Sequence, residues 1–324
     1  MKIQKQLQFK FRRNQKELNR ITMISRSNYL ITLIIVLMAV SNLPAQENGS
    51  QKTSSKIVDV GWLTTHLNDP DLVIVHIAPL KLEYEREHIP GARYLFPGWL
   101  TISTPDEATT FVQPRDIKKV LESLGISNKS KIVLTFMNGI LTSVCRVYLT
   151  LDYAGLGDQT FILNGGVEQW KAAGKPVVSD FPLVKKGKLS IVPNKNIIYT
   201  TDRINKNIKS PKVDIIDTRS APFYAGTSGG PRYGHIPGAL NIPIAKLYDE
   251  NFRFLPDDKL KEVFHDAGTK PENELVTYCF VGNAASIVYF VARHLGYNIH
   301  LYDGSMDEWG NRFELPLEKV EVAK

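Results

Sequence analysis

The sequence predicts an α/β protein built from two tandem copies of one domain, each a parallel β-sheet flanked by helices on both faces. Three pairs of similar segments support this prediction, because they occur in the same order and at nearly constant spacing. They are EHIPGARYL (87–95) with GHIPGALNI (234–242), LGISNKSKIVLTF (124–136) with AGTKPENELVTYC (267–279), and NGGVEQW (164–170) with DGSMDEW (303–309). Each copy therefore spans roughly 130 residues.

Strand and helix signals alternate inside each copy, as expected for strands joined by crossover helices. In the second copy, the apolar runs at 213–217, 275–279 and 298–303 predict short buried strands. The segment ASIVYFVARHLG between the last two has helical spacing and ends in Gly296, a typical helix stop. The residues that share its apolar face are Ile287, Phe290, Val291, His294 and Leu295.

The charge of the chain is concentrated at its N-terminus. The formal net charge is +7, and residues 1–45 alone contain eight lysines and arginines against a single acid. The remainder is neutral, so the charge gives no support for nucleic-acid binding. With 43% hydrophobic and 23% charged residues, the composition is that of a globular protein and excludes intrinsic disorder.

The N-terminal segment has the pattern of a secretory signal peptide. A twelve-residue apolar run at 29–40 follows the basic residues and precedes small and polar ones. This run is shorter than the roughly 20 residues that a membrane-spanning helix needs. We expect cleavage after Ser41 or Ala45, and initiation at Met1 or Met23. The protein is then periplasmic or secreted, and an uncleaved membrane anchor is the alternative.

These patterns divide the chain into four segments. A stretch at 181–195 with two prolines and several lysines separates the two copies and is interpreted as a linker. The predicted segments are a targeting segment (1–45), a first domain (46–180), the linker (181–195) and a second domain (196–324).

The sequence points to Cys279 as the chemically active residue. It ends a predicted strand, and a helix begins about six residues later, so it lies where parallel sheets bind ligands. The intervening loop can turn its backbone N–H groups inward, helped by Gly282. Those groups and the N-terminus of the helix stabilise a thiolate. We call residues 280–285 the cysteine loop; they are Phe280, Val281, Gly282, Asn283, Ala284 and Ala285.

At this point the sequence resembles the tandem-domain rhodaneses, the thiosulfate and 3-mercaptopyruvate sulfurtransferases. The shared motifs are HIPGA in both copies, Asp217-Thr218-Arg219, the six-residue loop after Cys279, and YDGSMDEWGN near the C-terminus. The resemblance covers about residues 55–318. It implies that Cys279 takes a sulfur atom from a small donor as a persulfide and passes it to a thiol or cyanide. It implies no cofactor and no metal.

The resemblance also implies that the first domain is inactive. Phe136 stands where Cys279 stands in the second copy, and His76 stands in the place of Asp217. In this family an inactive first domain usually packs on an active second one, so we expect the pocket near the interface. Cys145, in an apolar helix, is interpreted as a core residue.

The donor is left open by a departure from the family pattern. Thiosulfate enzymes carry basic residues after the cysteine and mercaptopyruvate enzymes carry Gly-Ser, whereas this chain has Phe280 and Val281. Asp217 and Arg219 are expected to support the loop or touch substrate, and Arg232 is the nearest candidate for an anion contact.

Other functions compete with the sulfurtransferase hypothesis. A cysteine phosphatase would need an arginine at Ala285, and a disulfide oxidoreductase would need a second cysteine at Gly282. Both are disfavoured. The serious alternative is a non-catalytic periplasmic module that binds or carries sulfur for a partner.

Overall fold

The computed structural model describes residues 55–102, 110–229, 232 and 234–320. The predicted targeting segment and its cleavage sites lie outside these residues. None of the helices in the described ranges has the length and apolar character needed to cross a bilayer.

The elements of the first domain in chain order are β1 (Ile57–Val58), α1 (Val60–His66), β2 (Leu72–Ile77), α2 (Lys81–Arg86), β3 (Arg93–Leu95), β4 (Thr101–Ile102), β5 (Thr110–Phe111), α3 (Pro114–Ser123), β6 (Lys131–Phe136), α4 (Leu141–Tyr153), β7 (Thr160–Leu163) and α5 (Gly166–Ala172). Five of the strands form a parallel sheet in the order β1–β7–β6–β2–β3, and β4 and β5 form a separate antiparallel pair.

The second domain repeats this topology. Its elements are β8 (Ile198–Tyr199), α6 (Thr201–Asn207), β9 (Val213–Asp217), α7 (Ala221–Ala225), β10 (Leu240–Asn241), α8 (Asp257–Asp266), β11 (Glu274–Tyr278), α9 (Ala285–Leu295), β12 (Ile299–Tyr302) and α10 (Ser305–Asn311). The parallel sheet runs β10–β9–β11–β12–β8, the same order as in the first domain. The predicted fold of two tandem parallel α/β domains is confirmed.

The sequence places the three strands that it predicts in the second domain within one residue of their observed ends, and it does not identify β8 or β10. The strand at 213–217 is confirmed as β9, and β11 ends at Tyr278, so that Cys279 is the first residue beyond it. The predicted helix is α9, and Gly296 ends it in the left-handed conformation at φ +86°. These ends matter because they fix where the loop after Cys279 begins and stops.

Helix α9 is buried on nearly all sides rather than on one face, which differs from the prediction. The predicted apolar face itself reaches α4 of the first domain, where the ring of Phe290 meets Tyr148 edge-on at 4.7 Å. Tyr289, which lies outside that face, is also buried. The Tyr289 hydroxyl also donates to Asp152 at 2.7 Å. A single-domain helical pattern cannot show this, because the partner helix is about 140 residues away in the chain.

The hydrophobic core has three parts. One cluster lies between the two sheets and joins residues of both domains, among them Leu134 and Phe290. Two smaller clusters cover the outer faces, around Trp170 in the first domain and Trp309 in the second. Each sheet is thus covered on both faces, as parallel sheets require.

The segment predicted as a linker packs against the first domain. The Leu189 side chain is buried, and its N–H donates to the carboxylate of Glu122 at 3.0 Å. A short 3-10 helix at Lys195–Ile197 follows it and leads into β8. The exact domain boundaries at 180 and 196 stay a prediction.

Candidate active site

Cys279 is fixed by its backbone at the C-terminal edge of the central strand β11. Its N–H donates to the hydroxyl of Ser305 at 3.1 Å, and its carbonyl accepts from the N–H of Met306 at 3.1 Å. Ser305 has φ +52°, an unusual left-handed conformation for a residue other than glycine. Both partner groups belong to the first two residues of α10, so the start of this helix fixes the backbone of Cys279 at the end of β11.

The cysteine loop connects Cys279 to α9 and presents free hydrogen-bond donors. Within the described ranges, the backbone N–H groups of residues 280–284 donate to no other group of the protein. The N-terminus of α9, an eleven-residue helix, follows directly. Unengaged N–H groups and a helix N-terminus together stabilise negative charge, as a thiolate or persulfide requires.

Gly282 allows the loop to adopt this path. Its φ is +78°, and a Cβ there would overlap the carboxylate oxygen Oδ1 of Asp303. The Gly282 carbonyl accepts from the Ser286 hydroxyl at 3.1 Å, and the Phe280 carbonyl accepts from the N–H of Asp307 at 2.9 Å. The loop carbonyls are thus turned toward protein donors.

Asp217 and Arg219 form a buried ion pair beneath the loop. Arg219 donates to Asp217 from Nε at 3.0 Å and from Nη2 at 2.6 Å, and Nη2 also reaches the carbonyl of Gly234 at 2.7 Å. The hydroxyl of Tyr278 adds a bond to Asp217 at 2.9 Å, and burial raises the pKa of Tyr278 well above its ordinary value, with the charge of Asp217 adding to the effect. These contacts tie the residue before the cysteine to the neighbouring strand.

A cavity of about 250 Å³ opens beside the loop in the second domain. Its wall is largely apolar, with Phe280, Val281 and Phe313 facing guanidinium groups of Arg219 and Arg232. Phe280 is 43% exposed, and its ring meets Phe223 edge-on at 4.8 Å. The pocket therefore combines aromatic surface with charged residues of both signs, namely Arg219, Arg232 and Asp307.

The structure changes the interpretation of Arg232. It borders the pocket as expected, but its Nη1 donates to the carbonyl of Arg312 at 2.6 Å and its Nη2 donates to that of Leu315. The guanidinium also lies over the Phe313 ring at 5.4 Å. Because both terminal nitrogens are engaged, the residue first holds the C-terminal segment, and the simple anion contact expected from the sequence is not its main interaction.

The sequence does not identify Arg146 as functional, and it indicates Ser305 only as a residue that could border the pocket. Arg146, on α4 of the first domain, reaches across the interface and pairs with Asp303 through two bonds of 2.6 and 3.1 Å. Ser305 anchors Cys279. No local pattern reveals Arg146, because its partner is 157 residues away; the DGS repeat is a weak signal for Ser305.

In the first domain a phenylalanine occupies the position that is equivalent to Cys279. In the sheet register Asp217 is opposite Tyr278, and His76 is opposite Thr135, so Phe136 takes the place of Cys279 as the sequence predicts. The following loop is capped by a carboxylate, since the Asn138 N–H donates to Glu168 at 2.7 Å.

Cys145 is completely buried in α4, in agreement with its interpretation as a core residue. Burial raises the pKa of its thiol well above the ordinary value, so this cysteine carries no reactive thiolate. Of the two cysteines, only Cys279 is followed by a loop whose unengaged backbone N–H groups can stabilise a thiolate.

Comparison with known proteins identifies the same domain twice in this chain. A model of the rhodanese-like domain matches residues 59–173 and 200–312. The sulfur carrier protein TtuD of Thermus thermophilus is 29% identical over 280 residues, covering 82% of this chain and 97% of its own. The mitochondrial thiosulfate/3-mercaptopyruvate sulfurtransferase 1 of Arabidopsis thaliana is 29% identical over 309 residues, covering 84% and 80%.

The fold also resembles a solved structure. The anaerobic ergothioneine biosynthesis enzyme of Chlorobium limicola, in complex with trimethyl histidine, aligns with a TM-score of 0.72 over 84% of this chain and 72% of that one. The sequences are 22% identical, so the likeness concerns the fold.

Proposed function

The chain belongs to the rhodanese family and contains two rhodanese-like domains in tandem, and we propose that it is a sulfurtransferase that works through a persulfide on Cys279. The supporting observation is the cysteine loop. Its unengaged N–H groups follow a cysteine that is anchored by Ser305 and backed by the N-terminus of α9.

The proposed reaction has two steps. The Cys279 thiolate attacks the outer sulfur of a donor, a Cys–S bond forms, and the donor's bond to that sulfur breaks with its electron pair leaving on the donor remnant, which is sulfite for thiosulfate. A thiol or cyanide then attacks the terminal sulfur of the persulfide and Cys279 leaves as a thiolate. Negative charge sits on Cys279 or its outer sulfur throughout, where the loop N–H groups stabilise it.

The pocket favours a donor with little charge over the thiosulfate dianion. Phe280 and Val281 supply no cation, Arg219 is neutralised by Asp217, and Arg232 is bound to backbone carbonyls. A carboxylate thiol such as 3-mercaptopyruvate, or a small persulfide, carries less charge into this surface. We therefore propose such a donor ahead of thiosulfate.

A sulfur carrier is the second candidate. One relative is named a sulfur carrier protein, and Cys279 as a residue is only 1% exposed, which suits holding a sulfur atom for a dedicated acceptor. Turnover separates the two candidates. With excess 3-mercaptopyruvate and cyanide, an enzyme forms many equivalents of thiocyanate per protein, whereas a carrier releases about one equivalent and stops.

We also propose that residues 1–45 direct the protein to the periplasm or outside the cell. The basic residues followed by a twelve-residue apolar run support this proposal. N-terminal sequencing of the protein from the periplasmic fraction tests it: a start near residue 42 or 46 is expected, and an intact N-terminus in the cytoplasm contradicts it.

A further inference from the structure

Among the described residues, Arg146 is a charged side chain that reaches the cysteine loop from the first domain. Its guanidinium is buried, with 3% of the side chain exposed, and it grips Asp303 with two hydrogen bonds. The point where Gly282 would carry a Cβ lies 3.3 Å from Nη1 of Arg146. The ion pair therefore lies directly against the middle of the cysteine loop.

The carboxylate of Asp303 is the member of this ion pair that affects negative charge on Cys279. Its Oδ1 is even closer to Gly282 than the arginine, so a carboxylate lies beside the loop that must stabilise a thiolate or persulfide. An unpaired carboxylate there opposes negative charge on Cys279, and its effect is large because the site is shielded from water. Arg146 cancels that charge.

The inactive copy provides an internal comparison. Superposing the repeats puts Gly139 in the place of Gly282, Asn164 in the place of Asp303, and Tyr289 in the place of Arg146. There the neutral Asn164 binds the backbone of Phe254, accepting from its N–H at 2.8 Å. An ion pair thus stands at this position only beside the copy that has the cysteine.

The contacts of Arg146 do not involve its Nε. Its Nε–H is buried and has no hydrogen-bond partner among the residues that the structure describes. The guanidinium carbon lies over the Phe111 ring at 4.7 Å, a further contact from the first domain. Arg146 is thus held by Asp303 and by the Phe111 ring.

We propose that Arg146 is a positioning residue for the chemistry of Cys279: the inactive first domain supplies the charge that neutralises Asp303 and keeps it in place against the loop. This proposal rests on the proposed function. The reactivity of Cys279 can nevertheless be measured without sulfur transfer.

The experiment measures the rate at which iodoacetamide alkylates Cys279 at one fixed pH, and the limiting rate of sulfur loading from 3-mercaptopyruvate. The full chain is compared with R146Q, R146K, D303N and the double variant R146Q/D303N. R293Q is the matched control, because Arg293 on α9 also forms an ion pair between the two domains, with Asp152 of α4 at 2.9 Å, away from the loop.

We expect R146Q to lower both rates by about tenfold, since it leaves Asp303 unpaired. R146K keeps the charge and recovers most of the rate. The double variant reacts faster than R146Q, because it removes both charges. R293Q stays within about twofold of wild type, and the donor concentration for half-maximal loading is unchanged, because Arg146 does not line the pocket.

Three results would overturn the proposal: R146Q reacts like wild type, R293Q loses as much as R146Q, or the double variant is no faster than R146Q. Where R146Q fails to fold, R146K and the double variant still give the comparison with D303N. If the wild type is alkylated at Cys279 but never takes up sulfur, the proposed function fails while the alkylation series still decides the role of Arg146.

Discussion

Asp217 and Tyr278 are partners in the register of β9 and β11, and the tyrosine hydroxyl donates to the aspartate at 2.9 Å. Because Tyr278 directly precedes Cys279, the carboxylate of Asp217 is hydrogen-bonded to the residue next to the proposed nucleophile. Arg219 completes the group with a bidentate pair. The Asp-Thr-Arg motif is thus a support for the strand end that carries the cysteine.

Removing this carboxylate should destabilise the whole second domain. Asp217→Asn leaves the Arg219 guanidinium buried without its counter-charge, and we expect the free energy of unfolding to fall by about 3–5 kcal/mol. Urea unfolding measures the loss. The control is Lys259→Gln, which breaks an exposed pair with Glu262 and should leave the free energy of unfolding nearly unchanged. Equal small losses in both variants contradict the account.

A matched pair of glycine substitutions separates the effect of the backbone conformation of Gly282 from the effect of its close contact with Asp303. Gly174 has φ +69° with open space around it, so Gly174→Ala should lower the free energy of unfolding by about 1–2 kcal/mol and leave sulfur loading intact. Gly282→Ala has the same backbone strain and also overlaps Asp303. We expect it to slow loading by more than about tenfold, measured by mass spectrometry. Equal loading rates would mean that the loop tolerates a side chain there.

The loop side chains should decide donor preference. Replacing Phe280 by Arg and Val281 by Lys puts two cations at the pocket wall, and we expect the kcat/KM for thiosulfate to rise by about tenfold or more. The control donor is 3-mercaptopyruvate, for which the gain should be smaller. No gain with thiosulfate would show that these side chains do not select the donor.

The stability of the first domain should depend on pH through His76. Burial, with a smaller contribution from His88, lowers the pKa of this histidine from 6.5 to about 4, and neither ring nitrogen has a partner among the described groups. Between pH 6.5 and 4 the unfolded chain binds a proton that the folded chain does not, so stability falls as the pH falls through this window.

The size of this effect is about 3 kcal/mol at its limit near pH 4. Urea unfolding of wild type and His76→Leu at pH 7 and pH 4.5 measures it. The variant should lose less stability than wild type on acidification, whatever its stability at pH 7. Parallel losses in the two proteins would contradict the role of His76.

The sequence predicts local structure well where one copy contains all the information. The strand–loop–helix unit around Cys279 follows from an apolar run, a glycine and a helical pattern within about 20 residues, and the structure reproduces it. The repeats also identify Phe136 and His76 as the residues that replace Cys279 and Asp217.

Contacts between the domains could not be predicted in the same way. Arg146 lies in a helix whose apolar pattern indicates only a core, and its partner Asp303 begins an Asp-Gly pair, which is a turn signal. The double burial of α9 and the engagement of Arg232 by Arg312 and Leu315 have the same cause. Each depends on a tertiary contact between segments that are far apart in sequence.

The most direct test of the central claim is the intact mass of the purified protein before and after excess 3-mercaptopyruvate or thiosulfate, with cyanide added last. The account predicts a gain of one sulfur atom that cyanide removes, retained in Cys145→Ser and absent from Cys279→Ser. An equal gain in Cys279→Ser, or loss of the gain in both variants, would contradict the assignment of Cys279 as the sulfur-carrying residue.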